Sequence, residues 1–259
     1  MLIFFDIDGT LIGEPFRGMP ESAKRAIEQA RANGHVCVIN TGRSLKLVGP
    51  DITGQTEFDG LLLGCGTMIL YHGQVLFHRT FPGAQATRII EALRRHGIDA
   101  VLEGGENNFV ERTGRMFTET FARFVERFTD CSYGSFEEAV GHFDKFYAYV
   151  EEPGRMEAFQ REFAAELDFV DRRGGYFEIM PKDCSKASAM RILAETLQIP
   201  MEETAAVGDG PNDIPMIECA HYGIVMGNGD PEIKEIADYV TTSVEKDGIW
   251  NALQWLGVL

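Results

Sequence analysis

Met1-Leu2-Ile3-Phe4-Phe5-Asp6-Ile7-Asp8-Gly9-Thr10-Leu11 is an apolar run that ends abruptly in two carboxylates and a glycine. Such a run reads as a strand buried on both faces at the point where it leaves the sheet for a turn. Aspartates at i and i+2 of an extended backbone point the same way, so their charges repel unless a cation or a proton intervenes. Mg2+ suits an open pair of this kind, because it takes a few carboxylate oxygens, keeps several waters and leaves room for a phosphate. The same residues also fit a plain N-terminal strand ending in a polar turn. An EF-hand loop is excluded, since Gly9 follows Asp8 directly where that motif needs a third oxygen ligand.

The chain has 259 residues, room for one large or two modest domains with a sizeable core. Its 24 Lys and Arg stand against 40 Asp and Glu, a formal net charge of −16. That balance argues against nucleic acid and acidic membrane as partners. A small phosphorylated ligand is compatible with it, because a metal and a few local cations reverse the field inside one cleft. The five cysteines, Cys37, Cys65, Cys131, Cys184 and Cys219, are scattered without a C-x-x-C pair, which points to reduced thiols rather than a disulfide framework or zinc site. The first residues lack the basic region of a signal peptide, and the longest apolar stretch, residues 60–70, is too short to span a bilayer. A soluble cytoplasmic protein is expected.

Moving outward from the first strand, residues 20–33 carry Ala23, Ala26, Ile27 and Ala30 at helical spacing and stop at Gly34. Residues 35–40 form a second short apolar run, so strand, helix and strand predict a right-handed crossover and a parallel sheet. A third run at 60–63 is followed by a hairpin signal, 68–70 and 75–77 around Tyr71-His72-Gly73-Gln74. The pattern then changes. Helical stretches at 84–96, 117–128 and 156–166 alternate with short runs at 100–102, 109–111, 146–150, 169–171 and 177–180. This order fits antiparallel strands with helices on one face, a separate α+β unit that Pro181 closes. Phe117, Phe121, Phe124 and Phe128 read as core of one helix. The α/β rhythm resumes with a helix at 186–197, a strand at 204–207, the loop Gly208-Asp209-Gly210-Pro211-Asn212-Asp213, and strands at 222–225 and 239–241 with helices at 231–237 and 249–256. The expected organisation is core 1–81, inserted α+β cap 82–182 and core 183–259. Its fold class is α/β, a doubly wound parallel-sheet core with an insertion.

Asp6, Thr41 and Asp209 each stand just past the C-terminal end of a predicted strand, and in an open parallel sheet those ends converge on one crevice. Lys186 opens a helix from which its ammonium is able to face the same crevice, as a charge anchor for several aspartates.

Together these residues resemble the haloacid dehalogenase-like phosphatases, and within that superfamily the Cof-type branch, which carries a large α/β cap between its second and third motifs. Asp6-Ile7-Asp8-Gly9-Thr10-Leu11 is similar to the first motif, Thr41-Gly42-Arg43 to the second, Lys186 to the third and Gly208-Asp209-Gly210-Pro211-Asn212-Asp213 to the fourth. Met226-Gly227-Asn228 and Glu245-Lys246-Asp247-Gly248 also resemble that branch. Where the branch has an Asn-Gly-Ala-like turn after its third strand, this chain has Gly64-Cys65-Gly66, without the amide side chain. The cluster is not a dinucleotide fingerprint either, since Ile69 stands where a third glycine belongs.

The resemblance implies a Mg2+-dependent phosphatase of small phosphomonoesters, a sugar phosphate or similar metabolite, working through an aspartyl-phosphate. It implies Asp6 as nucleophile and Asp8 as the acid that protonates the leaving alcohol and later takes a proton from water. It implies Mg2+ held by Asp6, Asp209 and the backbone carbonyl of Asp8, with Asp213 acting through the metal's water shell. Thr41, Gly42, Lys186 and Asn212 are the implied phosphate contacts. Charge counting agrees with a protonated carboxyl, because four carboxylates outnumber Mg2+ and Lys186, and Asp8 is its natural holder. Arg43 is open between a substrate contact and a surface salt bridge. The inserted unit is expected to act as a lid, with Glu178 and Lys182 near its exit exposed to solvent. Ion-pumping ATPases are excluded, because they carry threonine where Asp8 stands. A phosphosugar mutase and a non-catalytic phosphometabolite sensor are the alternatives.

Overall fold

The computed structural model describes residues 1–13, 18–112, 118–126 and 133–259. Its first strand, β1 (Leu2–Phe5), is fully buried, as a continuous apolar run requires when both faces of a sheet are covered. Next come α1 (Glu21–Ala32), β2 (Val36–Asn40), α2 (Pro50–Thr53), β3 (Gly60–Leu63), β4 (Met68–Tyr71) and β5 (Gln74–His78). A middle stretch holds α3 (Gly83–His96), β6 (Asp99–Glu103), β7 (Asn108–Val110), α4 (Glu119–Glu126), β8 (Tyr133–Gly134), α5 (Phe136–Ala139), β9 (Lys145–Tyr149), α6 (Pro153–Phe163), β10 (Leu167–Asp171) and β11 (Tyr176–Pro181). The chain closes with α7 (Lys186–Thr196), β12 (Thr204–Gly208), α8 (Ile214–Cys219), β13 (Tyr222–Val225), α9 (Pro231–Lys234), β14 (Tyr239–Val240) and α10 (Gly248–Trp255).

These elements form two compact units. One comprises residues 1–42, 48–77 and 185–259, and the other residues 43–47 and 78–184. The first contains, among the described residues, a sheet in the order β14-β13-β12-β1-β2-β3-β4-β5. Strands from β14 to β3 run parallel, and β4 turns back antiparallel to β3. Between β4 and β5, His72 and Gly73 both adopt positive φ, 47° and 76°, the requirement of a tight two-residue hairpin turn. Alternation along β1 decides both layers. Ile3 and Phe5 pack with Ala23, Ala26, Ile27 and Ala30 of α1 and with Ile249 and Leu253 of α10. Leu2 and Phe4 point the other way, onto Ala189, Met190 and Leu193 of α7 and Met216 and Ile217 of α8. The sheet is doubly wound, as the sequence predicts.

The second unit is built on a sheet in the order β10-β11-β9-β6-β7-β8, antiparallel throughout except for the β7–β8 pair. One face carries Ala100, Leu102, Phe146 and Ala148 against α3 and α6. The expectation of helices on one face alone is corrected here, because α4 packs on the other face through Phe121 and Val125 against Val101, Val110 and Tyr149. The reason is aromatic. Tyr147, Tyr149 and Tyr176 make that face apolar rather than wet, and Phe124 stacks on Tyr147 with centroids 4.9 Å apart. Phe117 and Phe128, expected on the same helix, lie outside the described residues. No helix among the described residues is long and apolar enough to cross a membrane.

Glu178 is a second correction. It is buried rather than solvated, with Lys145 Nζ 2.5 Å away and Arg172 at 2.7 Å, while Lys145 also stands 3.5 Å from buried Glu103. Lys182 is exposed as expected, its ammonium donating to the Ala164 carbonyl. Removing one member of a buried ion network leaves the others desolvated and under-compensated. Lys145→Met is therefore expected to lower stability by about 3–5 kcal/mol in urea unfolding. Wild-type stability in that variant would mean that Glu103 and Glu178 do not depend on the ammonium.

Candidate active site

The parallel sheet gathers its polar residues at the C-terminal ends of β1, β12 and β2. Asp6 follows β1, and its N–H still donates to Val207 of β12 at 3.0 Å, so the carboxylate leaves a backbone fixed by the ladder. Its side chain is buried, 4 % exposed. Lys186, the first residue of α7, is equally buried and places Nζ 2.5 Å from Asp6 Oδ1 and 2.5 Å from Asp213 Oδ1. Ser185 caps that helix by accepting from the Ser188 N–H at 3.0 Å, which fixes where the lysine begins its reach.

The loop after β12 is organised by Asp213. Its second oxygen, Oδ2, accepts the N–H groups of Asp209 and Gly210 at 2.9 and 3.0 Å, so both carboxylate oxygens have partners. Asp209 is turned toward the first loop, where the Thr10 hydroxyl donates to its Oδ1 at 2.8 Å. Gly9 makes this approach possible. Its φ of 84° favours glycine, and a Cβ there would collide with the Asp209 carboxylate. Asn228 braces the same loop, donating to the Gly9 carbonyl at 2.7 Å and accepting from the Val244 N–H at 3.1 Å.

Asp6, Asp209, Asp213 and Lys186 are thus brought into one cluster. Asp8 is exposed two residues beyond Asp6. Thr41 is buried just past β2, its N–H bonded to Leu62 at 2.9 Å and its carbonyl to the Cys65 N–H at 3.1 Å. Gly42 and Asn212 are half-buried, Asn212 in the 3-10 turn Pro211–Asp213. Arg43 donates to the Leu47 carbonyl. The Gly64-Cys65-Gly66 turn has positive φ at all three residues, and Gly66 lies so near the Ser185 carbonyl that a side chain would collide with it. Thr10 and Asn228 lie inside stretches that the sequence singles out, yet no local pattern announces their hydrogen bonds. Asn40 had no signal at all.

Burial is the main reason that the Asp6 carboxyl is pushed up to about 8, with Asp213 adding to it against the pull of Lys186. Burial and Asp213 likewise push Asp209 up to about 7, opposed by the Thr10 hydrogen bond. Burial works against the Lys186 charge, yet Asp213 and Asp6 outweigh it and hold that pKa above the ordinary lysine value. Without a cation, burial and mutual repulsion thus favour protons on the two carboxyls expected to face the metal. The Lys186 ammonium bonds Asp6 and Asp213 but not Asp209, and an oxygen from each of the three carboxylates lies within 4.8 Å of the others. Hard oxygen donors with an uncompensated negative charge fit a divalent cation such as Mg2+.

Residues 3–253 match the haloacid dehalogenase-like hydrolase family. The chain belongs to that family. Phosphatase YwpJ of Bacillus subtilis is 27 % identical to this haloacid dehalogenase-like hydrolase, over 98 % of this chain and 99 % of that one. The solved phosphatase BT1666 from Bacteroides thetaiotaomicron, of the same superfamily, is 26 % identical with a TM-score of 0.87, covering 100 % of this chain and 95 % of its own. The subclass IIB sugar phosphatase BT4131 shares the fold, with a TM-score of 0.85 at 23 % identity over 100 % of this chain and 99 % of its own. The middle unit is accordingly the cap of this hydrolase fold.

Two outcomes test the cluster. Because the folded-state carboxyl pKa values lie above ordinary carboxylate values, their contribution to metal-free stability is full below about pH 4 and is lost as pH rises through about 7 and 8. A cation that holds the ionised groups competes with those protons, so Mg2+ should raise the melting temperature more at about pH 8.5 than at about pH 6. Equal shifts at both pH values, measured against EDTA, would remove these carboxyls from the cation site. Gly9→Ala should abolish the Mg2+-dependent shift in thermal denaturation while leaving the circular dichroism spectrum intact; a full shift would show that Asp209 is free to move aside.

Proposed function

We propose that the protein is a Mg2+-dependent phosphatase of small phosphomonoesters, sugar phosphates or metabolites of that kind, acting through an aspartyl-phosphate. The observation that carries this reading is the buried Asp6 carboxylate, held 2.5 Å from the Lys186 ammonium beside Asp209 and Asp213. A nucleophile needs one fixed direction of attack, and here the backbone ladder and the ammonium restrict it from two sides.

Asp6 and Asp209 would hold the cation, with the Asp8 carbonyl, and Asp213 would support it through water. When bound, Mg2+ would offset carboxylate charge and draw charge from the phosphoryl oxygens. An Asp6 oxygen attacks phosphorus and the bond to the leaving oxygen breaks, while Asp8 gives that oxygen its proton. Water then attacks the same phosphorus and gives its proton to Asp8. The bond between phosphorus and Asp6 breaks, inorganic phosphate leaves, and both aspartates are returned to their starting states. Exposure suits Asp8 to this part, since it must meet an alcohol and then a water. Lys186, Thr41, Gly42 and Asn212 would hold the non-transferring oxygens, a preorganised arrangement from which phosphoryl transfer draws most of its acceleration.

The test is phosphate release from a panel of small phosphomonoesters, with Mg2+ and with EDTA. Asp6→Asn should fall to background on every substrate, and Asp8→Asn should lose about 10²–10⁴-fold. Turnover that survives in Asp6→Asn, or that EDTA leaves untouched, would overturn the covalent metal-dependent mechanism.

A further inference from the structure

We propose that Asn40 is a positioning residue for Lys186, fixing from the end of β2 the main chain from which the ammonium reaches. The proposal rests on the phosphatase reading insofar as Lys186 is taken to hold the phosphoryl group. Asn40 is the last residue of β2 and has no exposed surface. Its Nδ2 donates to the Lys186 carbonyl at 3.1 Å and lies 3.6 Å from Met216 Sδ, whereas Oδ1 accepts no hydrogen bond from the described residues. A buried acceptor without a protein partner is unfavourable, and a leucine of the same branching would fill the space without it. The side chain is therefore poorly explained as core. Its placement is well explained by what it touches.

Lys186 begins α7, and from that first position its side chain spans to Asp6 and Asp213 at 2.5 Å each. Displacement of its main chain moves the ammonium with it. Around this point the rest of the frame is the Ser185 cap of α7 and backbone contacts: the Cys65 N–H on the Thr41 carbonyl, the Leu62 carbonyl on the Thr41 N–H, and Gly66 closed against Ser185. Asn40 adds a direct side-chain tie between the residue before Thr41 and the residue that carries the charge. The two expected phosphate contacts, Thr41 and Lys186, are thereby set at a fixed separation, which a transition state with defined oxygen positions requires.

The experiment compares wild type with Asn40→Leu, and with Asn40→Ala should the leucine variant fail to fold, reading orthovanadate affinity in Mg2+, kcat and melting temperature. Vanadate takes the geometry of phosphorus in flight, so it senses where the ammonium sits even without turnover. The expected result is about a tenfold loss in vanadate affinity and in kcat, a smaller change in KM, and a melting temperature at or above that of wild type for Asn40→Leu. Vanadate affinity equal to wild type overturns the proposal and leaves the phosphatase reading standing. Parallel losses of affinity and melting temperature also overturn it, because they describe a structural residue. Wild type that binds vanadate without releasing phosphate from any ester sinks the phosphatase reading while Asn40 is still judged by affinity, and wild type that binds no vanadate sinks both.

Discussion

The Lys186 ammonium, buried between Asp6 and Asp213, is the interaction on which the site depends. A lysine with no access to water keeps its proton when opposite charge replaces the lost hydration, and here two carboxylates at 2.5 Å do so. Each carboxylate is fixed in turn by backbone. Asp6 is held by the last ladder bond of β1, and Asp213 gathers two N–H groups of its own loop. One ammonium therefore ties the start of the chain to two segments about 180 and 207 residues further on, distances fixed by residue number.

Positive charge is short in this cluster, and the consequence appears in the carboxyls. Asp6 and Asp209 rise well above ordinary carboxylates because burial and Asp213 act on both of them. Thr10 partly relieves Asp209 by hydrogen bonding, which neutral hydroxyls do at no cost in charge. The geometry is tight enough that glycine is needed at position 9, and Asn228 keeps that glycine's loop tied to Val244.

The parallel core was legible in the sequence because its signals are local. Four buried residues before Asp6, a helix with alanines at one spacing, and strands followed directly by Thr41 and Asp209 all declare themselves within a few positions. Lys186 was legible as a charge anchor, although its two partners lie far away in the chain. What remained hidden depends on contacts between distant residues. The Glu178 charge looks like surface until Lys145 and Arg172 are brought to it by β9 and the end of β10. The side of the cap sheet chosen by α4 depends on tyrosines from two strands, and β8, two residues long, has too little sequence to carry a pattern. Asn40 was invisible for a related reason: one asparagine after an apolar run looks like the end of a strand, whichever main-chain carbonyl its amide meets.

The strand order also governs how the protein is made. β1 pairs with β12, Leu2 opposite Thr204, so the central seam of the core joins residues that leave the ribosome far apart in time. At about 5–20 residues per second the first strand waits on the order of 10–40 s for its neighbour. The cap sheet is drawn from the continuous stretch between them and has all of its strands first. During synthesis Asp6 therefore meets Lys186 and Asp213 only after every strand of the cap sheet has been made.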